Sequence, residues 1–290
     1  MNSDFLQLLV HPVSKDTLRV QDDVLKTNNN TDTFKVIKGV PILLPSVEAA
    51  TKEAFNYQEH YEQDALAFDY FADWHPVHKE ENNRLHQQIL HQIPNNAALT
   101  LDVGCGGAWL AKALVTQGKK GMLMDISTTN PIRAVELIHS ENHFGLVADV
   151  FHLPIKANSI DCIVASEIIE HVQDPELFIA CLFNVLKPGG TMIITTPFNE
   201  SIQQSLCIHC NQLTPHNAHI HSFTEEKIKS IAPKLATHIK TKTFNSKVLV
   251  NLQIHLLLKS LPFGAWKMID GFCHSLMAKR DMRLMLIIKK

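Results

Sequence analysis

The sequence has little net charge: 27 lysines and arginines against 29 acids leave −2 over 290 residues. That argues against a general electrostatic grip on nucleic acid, which needs a basic face. The one locally basic stretch, "KRDMRLMLIIKK" at the end, reads as a final strand with solvated ends. There is no apolar run near the ~20 residues of a membrane span. "VLVNLQIHLLLKSLPF" comes nearest, and Asn251, Gln253, His255 and Lys259 break it. "MNSDFLQLLV" lacks a basic start and a long apolar core, so no signal peptide is predicted. The six cysteines are scattered apart from one pair. That is no disulfide framework, and it predicts a reducing, cytoplasmic setting. Long repeats and low-complexity segments are also missing.

What is present is enough apolar sequence, 45%, for one large core or one core plus a small domain. In residues 1–47, "TLRVQDDVLK" reads as a hairpin, "TNNNTDT" as a turn and "FKVIKGVPILLP" as a strand up to Pro45, which together suggest a small β-rich module. Residues 48–98 are helical and aromatic-rich, with Leu85, Ile89 and Ile93 at spacing four on one helix face. From residue 99 strands and helices alternate: "ALTLDV", "AWLAKALVTQ", "GMLMDI", "PIRAVELIHS", "FGLVADV", "SIDCIVASEI", "PELFIACLFNVL" and, after "KPGG", "TMIITTPF". Strands apolar nearly throughout, alternating with helices, imply a parallel sheet covered on both faces. "TEEKIKSIAPKL" is a helix capped by Thr224, and "HIKTKTF" and "MRLMLIIKK" are closing strands. The expected division is a module at 1–47, a lead-in at 48–98 and a main domain at 99–290. Two lid insertions fall at about 199–223 and 248–278; the second is apolar and helical, a core helix pair or a homodimer contact.

"LDVGCGGAWLAKAL", Leu101 to Leu114, is a strand, a glycine turn and a helix, the general form of a cofactor cradle. A P-loop needs Gly-Lys-Ser/Thr after the turn, and the residues here are Gly-Gly-Ala-Trp. A dinucleotide fingerprint needs a third glycine where Trp109 stands. Asp102 would also repel a pyrophosphate, whereas it attracts an ammonium or sulfonium. S-adenosylmethionine carries both cations and no phosphate, and its carboxylate suits a helix N-terminus. Asp125 ends the second strand, where an acid can accept from both ribose hydroxyls. Asp149 follows the third, where a carboxylate can accept from an adenine amino group. One such acid is ordinarily a solvated helix cap; three at successive strand ends are not explained that way.

These segments, with "ADVFHLPIKANSIDCIVASEIIEHVQDP" and "LKPGGTMIITTP", resemble the class I S-adenosylmethionine-dependent methyltransferases over roughly residues 85–198. The resemblance implies an α/β fold, a seven-stranded, mostly parallel Rossmann-like sheet in the order 3-2-1-4-5-7-6, beside the small N-terminal module. It assigns Asp102, Gly104, Cys105, Gly106 and Gly107 to the methionine end, Asp125 with Ile126 to ribose, and Asp149 with the Val150 backbone to adenine. Ser166 ends the fourth strand, facing the transferable methyl. The family pattern's last glycine is Ala108 here, which adds a methyl and favours the helix. The expected activity is transfer of a methyl group to a small-molecule acceptor by direct in-line displacement. The acceptor atom is left open, as is a tRNA or protein acceptor or a non-catalytic scaffold. The chain lacks the Asn/Asp-Pro-Pro-Tyr motif of many amino-directed enzymes and has "SEII" instead.

"EIIEH" spaces Glu167, Glu170 and His171 so that they can share a helical face. Glu167 and His171 are the candidate catalytic pair, one role being a base that deprotonates the acceptor. Ubiquinone-pathway O-methyltransferases carry a similar E-x-x-E-H, which implies a divalent metal; the alternative is a capped helix with His171 packed on the sheet. In "CIHCNQLTPHNAHIHSF", Cys207, Cys210, His219 and His221 make a tetrahedral zinc set by type, with His209 and His216 close by. The thiols could equally be idle, and His219 or His221 could serve the acceptor. "LLVHPVSKDTLRV" and "VIKGVPILLP" resemble a zinc-ribbon module that accompanies several methyltransferases. Its cysteine places hold His11, Ser14 and, approximately, Thr27 and Asn30, so no zinc is expected there.

Overall fold

The computed structural model describes residues 3–28, 32–45, 56–73, 75–208, 210–276 and 280–290. Asn30, His209, residues 48–55 of the expected lead-in and residues 277–278 of the second insertion lie outside the described residues.

A short helix α1 (Ser3–Leu6) precedes four strands, β1 (Leu18–Gln21), β2 (Val24–Thr27), β3 (Thr33–Ile37) and β4 (Val40–Leu43). They form an antiparallel meander. Phe5 stacks on Phe144 at 5.1 Å, and Leu9, Leu25 and Leu43 are buried in the main core. His11 Nδ1 accepts from the Val13 and Ser14 backbone N–H groups at 3.1 and 3.0 Å. Helices α2 (Tyr57–Ala67) and α3 (Pro76–Leu90) follow. Leu85 and Ile89 are buried on α3 as their spacing predicts, while Ile93, also buried, lies past the end of the helix, which stops earlier than expected.

The alternating region forms β5 (Leu99–Val103), α4 (Trp109–Thr116), β6 (Lys120–Asp125), α5 (Thr129–Leu137), β7 (His143–Ala148), β8 (Ile160–Ser166), α6 (Pro175–Val185) and β9 (Leu186–Pro197). β10 (Gln204–Leu206) and β11 (Leu213–Pro215) make a separate hairpin. α7 (Glu225–Ser230), β12 (His238–Ser246), α8 (Lys247–Asn251), α9 (Ile254–Leu257), α10 (Phe263–Leu276) and β13 (Asp281–Lys289) complete the chain. The sheet order is β1-β2-β3-β4-β7-β6-β5-β8-β9-β13-β12. From β7 to β12 this is the expected 3-2-1-4-5-7-6. Strands β5 to β9 run parallel, and β13 inserts antiparallel between β9 and β12. β5 and β7 are buried at every position, as sheets covered on both faces require.

Two expectations are corrected. Among the described residues the sheet has eleven strands, not seven: β4 pairs parallel with β7 through Ile42–Val147 and Leu43–Ala148, extending the main sheet at that edge. "KPGG" belongs to β9 instead of separating it from α6. The register runs from Ile160–Leu186 directly to Cys162–Thr191, so Lys187–Gly190 are absorbed as a bulge, with Gly189 at φ +79°.

Candidate active site

The glycine turn leaves the buried end of β5. Backbone N–H groups of Gly104 and Cys105 both donate to the Met124 carbonyl of β6, at 2.8 and 2.9 Å. Gly104 (φ +70°) and Gly106 (φ +43°) hold left-handed turns. Ala108 is also left-handed, at φ +57°, and caps α4 instead of joining it, so the helix starts one residue later than expected. Alanine thus takes the conformation that the family glycine would hold freely, at a cost of about 1 kcal/mol.

Asp125 ties the turn to β6. Its Oδ2 accepts from Gly106 N at 3.2 Å and Asn130 Nδ2 at 3.1 Å, and its Oδ1 from Ser127 N at 3.0 Å. Asp102 is 2% exposed, and its Oδ2 has no hydrogen-bond partner among the described residues. Burial, with Asp125 close by, pushes its pKa from an ordinary 3.8 up to about 8. Asp149 Oδ1 accepts from Phe151 N at 3.0 Å, and Val150 opens a short 3-10 turn. Ile126 follows Asp125 half-buried, and Ser166 Oγ lies 3.1 Å from Thr195 Oγ1.

The structure adds a cover that the sequence did not reveal. Tyr57 Oη donates to Asp149 Oδ2 at 2.7 Å, and Glu62 accepts from Thr128 N at 2.6 Å and Thr128 Oγ1 at 2.5 Å. The Tyr70 carbonyl lies 2.2 Å from where a Cβ on Gly107 would stand. α2 and residues 68–71 therefore lie over the three strand ends that carry the acids. Gly107→Ala is expected to push this cover off. Hydrogen exchange of residues 57–71 should accelerate by at least about tenfold while β5 to β8 stay protected; unchanged exchange in 57–71 would show that the contact does not hold the cover down.

On the far side of Ser166 the chain does not form the expected helix. Glu167 is left-handed, at φ +58°, and His171 N bonds back to the Ile168 carbonyl at 3.0 Å, which makes a turn. The three side chains therefore do not share a helix face. Glu167 Oε2 pairs with Arg283 Nε at 3.0 Å, and Arg283 Nη2 donates to Glu81 Oε1 at 3.0 Å. The Glu170 carbonyl accepts from Ile220 N and His221 N at 2.9 and 3.1 Å, which docks the loop after β11 on the turn. His219 is carried inward: its ring lies 4.8 Å from that of His171, and one donor atom each of Glu170, His171 and His219 lie within 4.8 Å of one another. His171 Nδ1 faces the Ala218 carbonyl at 3.3 Å, and His219 Nδ1 pairs with Glu200 at 2.6 Å. Each ring is thus held through one nitrogen, leaving the other for a ligand. Burial lowers the His171 pKa to about 4 and raises that of Glu170, with Glu167 adding to the rise.

Of the four residues expected to hold zinc, His219 is the one that falls in a possible ligand group among the described residues. Cys207 and Cys210 lie at the tip of the β10–β11 hairpin, where Cys207 N donates to the Gln212 carbonyl at 2.8 Å. His221 Nε2 faces the Gln173 carbonyl at 3.3 Å. Among the described residues, the group with metal-ligand geometry is Glu170, His171 and His219. C-x-x-C spacing was visible in sequence; the docking of His219 onto Glu170 depends on a backbone contact that spacing does not encode.

A family model described as a methyltransferase domain matches residues 74–235. The chain belongs to this methyltransferase-domain family. It is 28% identical over 193 residues to the mitochondrial ubiquinone biosynthesis O-methyltransferase of Homo sapiens, covering 61% of this chain and 48% of that protein. It is 30% identical over 102 residues to the ubiquinone biosynthesis O-methyltransferase of Psychrobacter arcticus, covering 33% of this chain and 39% of that protein. The chain thus spans about half or less of the length of these relatives. In fold it is similar to an S-adenosylmethionine-dependent methyltransferase from Mesorhizobium loti, with TM-score 0.53, 13% identity, and coverage of 73% of this chain and all of that one (100%). Among the described residues, no helix is long and apolar enough to cross a membrane.

Proposed function

We propose that this methyltransferase-family chain uses S-adenosylmethionine to methylate a hydroxyl group of a small-molecule acceptor. The observation that carries the reading is the row of acids at three parallel strand ends, with Asp102 Oδ2 buried and without a partner among the described residues. A buried acceptor atom left unpaired fits a cationic donor, here the ammonium of the cofactor. Asp125 would receive the ribose hydroxyls and Asp149 the adenine amino group. The α4 N-terminus would face the cofactor's carboxylate. The cofactor supplies a methyl on a sulfonium leaving group. The chain orients the acceptor and keeps water out through the α2 cover.

The hydroxyl assignment draws on the relatives' O-directed activity and on His171. With its pKa near 4, His171 stays neutral at physiological pH, the form in which an imidazole ligates a metal ion. Glu170, His171 and His219 offer one carboxylate and two imidazoles, a fitting set for a divalent cation that would lower the pKa of a hydroxyl bound beside it. Six cysteines scattered without a disulfide framework suit a reducing compartment such as the cytoplasm.

Incubation with S-adenosylmethionine and a panel of phenols and catechols should yield S-adenosylhomocysteine and a methyl ether. His171→Ala should lower kcat by about 100-fold or more. Cofactor binding without turnover on any hydroxyl acceptor would count against the acceptor assignment alone.

Asp102 also makes cofactor binding depend on pH. With its pKa at about 8 the empty site holds a proton at pH 7, and a cation placed beside it favours the ionised form. Binding should therefore release close to one proton at pH 7 and tighten as pH rises from about 6 to 8, by at most about tenfold per unit. Calorimetry in buffers of different ionisation enthalpy reads this directly; a heat independent of buffer would mean that Asp102 is already ionised.

A further inference from the structure

Helices α8, α9 and α10 turn Leu249, His255, Trp266 and Asp270 toward one small cavity of about 10 Å³. Arg84 of α3 closes it, bonded to the Leu258 and Lys259 carbonyls at 3.0 and 3.2 Å. These three helices are therefore anchored on their inner side, and their other sides carry what the anchoring leaves over. On α10, Met268, Phe272 and Leu276 recur every fourth residue as one stripe and are 77%, 64% and 66% exposed. Leu252 and Leu257, at the ends of α8 and α9, are 66% and 83% exposed. Large apolar side chains clustered on so short a segment mark an interaction surface.

Charge says what kind. Residues 247–280 hold Lys247, Lys259, Lys267, Lys279 and Arg280, and their one acid is Asp270. Asp270 is buried, accepting from Asn245 N at 3.1 Å and Ser246 N at 2.8 Å. Among the described residues, the charges this segment leaves out of its core are thus positive, in a chain whose net charge is −2. None of Lys247, Lys259 and Lys267 has an acid in ion-pair contact among the described residues, and the Lys247 backbone N–H donates to the Arg280 carbonyl at 2.7 Å, which ties the two ends of the segment together. A second copy is a poor occupant: a two-fold contact would set these cations against themselves. An anionic lipid surface supplies both an apolar layer and the opposite charge.

We propose that α8–α10 form a peripheral binding face for anionic membranes, with Met268, Phe272 and Leu276 entering the interface and the lysines facing the headgroups. The face lies on the acceptor side of the sheet: the cavity beneath it is lined by Glu81, which pairs with Arg283, the partner of Glu167. An acceptor dissolved in lipid would therefore approach along this side. The lipid binding itself does not depend on the methyltransferase reading.

The test is vesicle co-sedimentation of the full chain, with phosphatidylglycerol–phosphatidylcholine vesicles against pure phosphatidylcholine. The chain should partition onto the anionic vesicles and leave them as salt rises from about 0.1 to 0.5 M. The double variants Met268→Ser/Phe272→Ser and Lys259→Glu/Lys267→Glu should each weaken partition at least about tenfold with unchanged thermal midpoints, since Met268, Phe272 and Lys259 are exposed and Lys267 is half-buried with no ion pair among the described residues. Failure to bind anionic vesicles, or equal binding to neutral ones, would overturn the proposal. So would a wild-type dimer in analytical ultracentrifugation that Met268→Ser/Phe272→Ser dissociates, because the stripe would then be a self-association contact.

Discussion

Asp125→Ala is expected to weaken S-adenosylmethionine binding by at least about 100-fold. Two hydrogen bonds from ribose hydroxyls to a carboxylate are worth ~1.5–3 kcal/mol each. The substitution removes both and also frees Gly106 N, Ser127 N and Asn130 Nδ2, which Asp125 holds at 3.0–3.2 Å. Asp125→Asn keeps the shape and one acceptor oxygen, so it should lose less. A thermal melt beside each titration separates loss of affinity from loss of fold. Retention of wild-type affinity by Asp125→Ala would place the ribose elsewhere.

The second large effect is on stability. Arg283 is the cation among four acids: it pairs with Glu167 and Glu81 at 3.0 Å, and Glu170 and Glu200 both raise its pKa. Arg283→Met leaves Glu167, Glu81 and the fully buried Glu170 facing one another without it. Breaking a buried pair from one side costs ~3–5 kcal/mol, which in a chain of this size lowers Tm by roughly 6–15 °C. Burial already raises the Glu167 pKa and Arg283 holds it down, so the variant's Glu167 pKa moves higher still. The sign follows: the acids that Arg283 neutralises take up protons as pH falls, so the deficit should be largest near pH 8 and shrink toward pH 5. The double variant Arg283→Met/Glu167→Gln should recover part of the loss, and a double-mutant cycle measures how much. Equal deficits at both pH values would mean that Arg283 acts through packing alone.

The parts of this molecule legible in its sequence are those that local pattern encodes. Buried parallel strands read as continuous apolar runs, so β5 to β9 and the two closing strands were visible, and with them the strand ends where Asp102, Asp125 and Asp149 stand. The parts not legible depend on contacts between distant segments. Nothing local in "VPILLP" says that Ile42 will pair with Val147 of β7. Spacing gave Glu167, Glu170 and His171 a shared helix face, but the left-handed Glu167 broke that geometry and handed its carboxylate to Arg283, far along the chain in the last strand. C-x-x-C drew attention to Cys207 and Cys210, while the residue brought to Glu170 and His171 was His219, carried by a loop docked on a backbone carbonyl. Tyr57 and Tyr70 lay in a stretch marked only as aromatic and helical, and their place over Asp149 and Gly107 is a tertiary fact.

The central claim is that the β5 turn and the three strand-end acids form a cradle for S-adenosylmethionine. Calorimetric titration of the wild-type chain with S-adenosylmethionine and S-adenosylhomocysteine tests it most directly. The account predicts one site with micromolar affinity for both. A well-folded chain that binds neither would contradict it, and would leave a methyltransferase fold whose cradle has lost its cofactor.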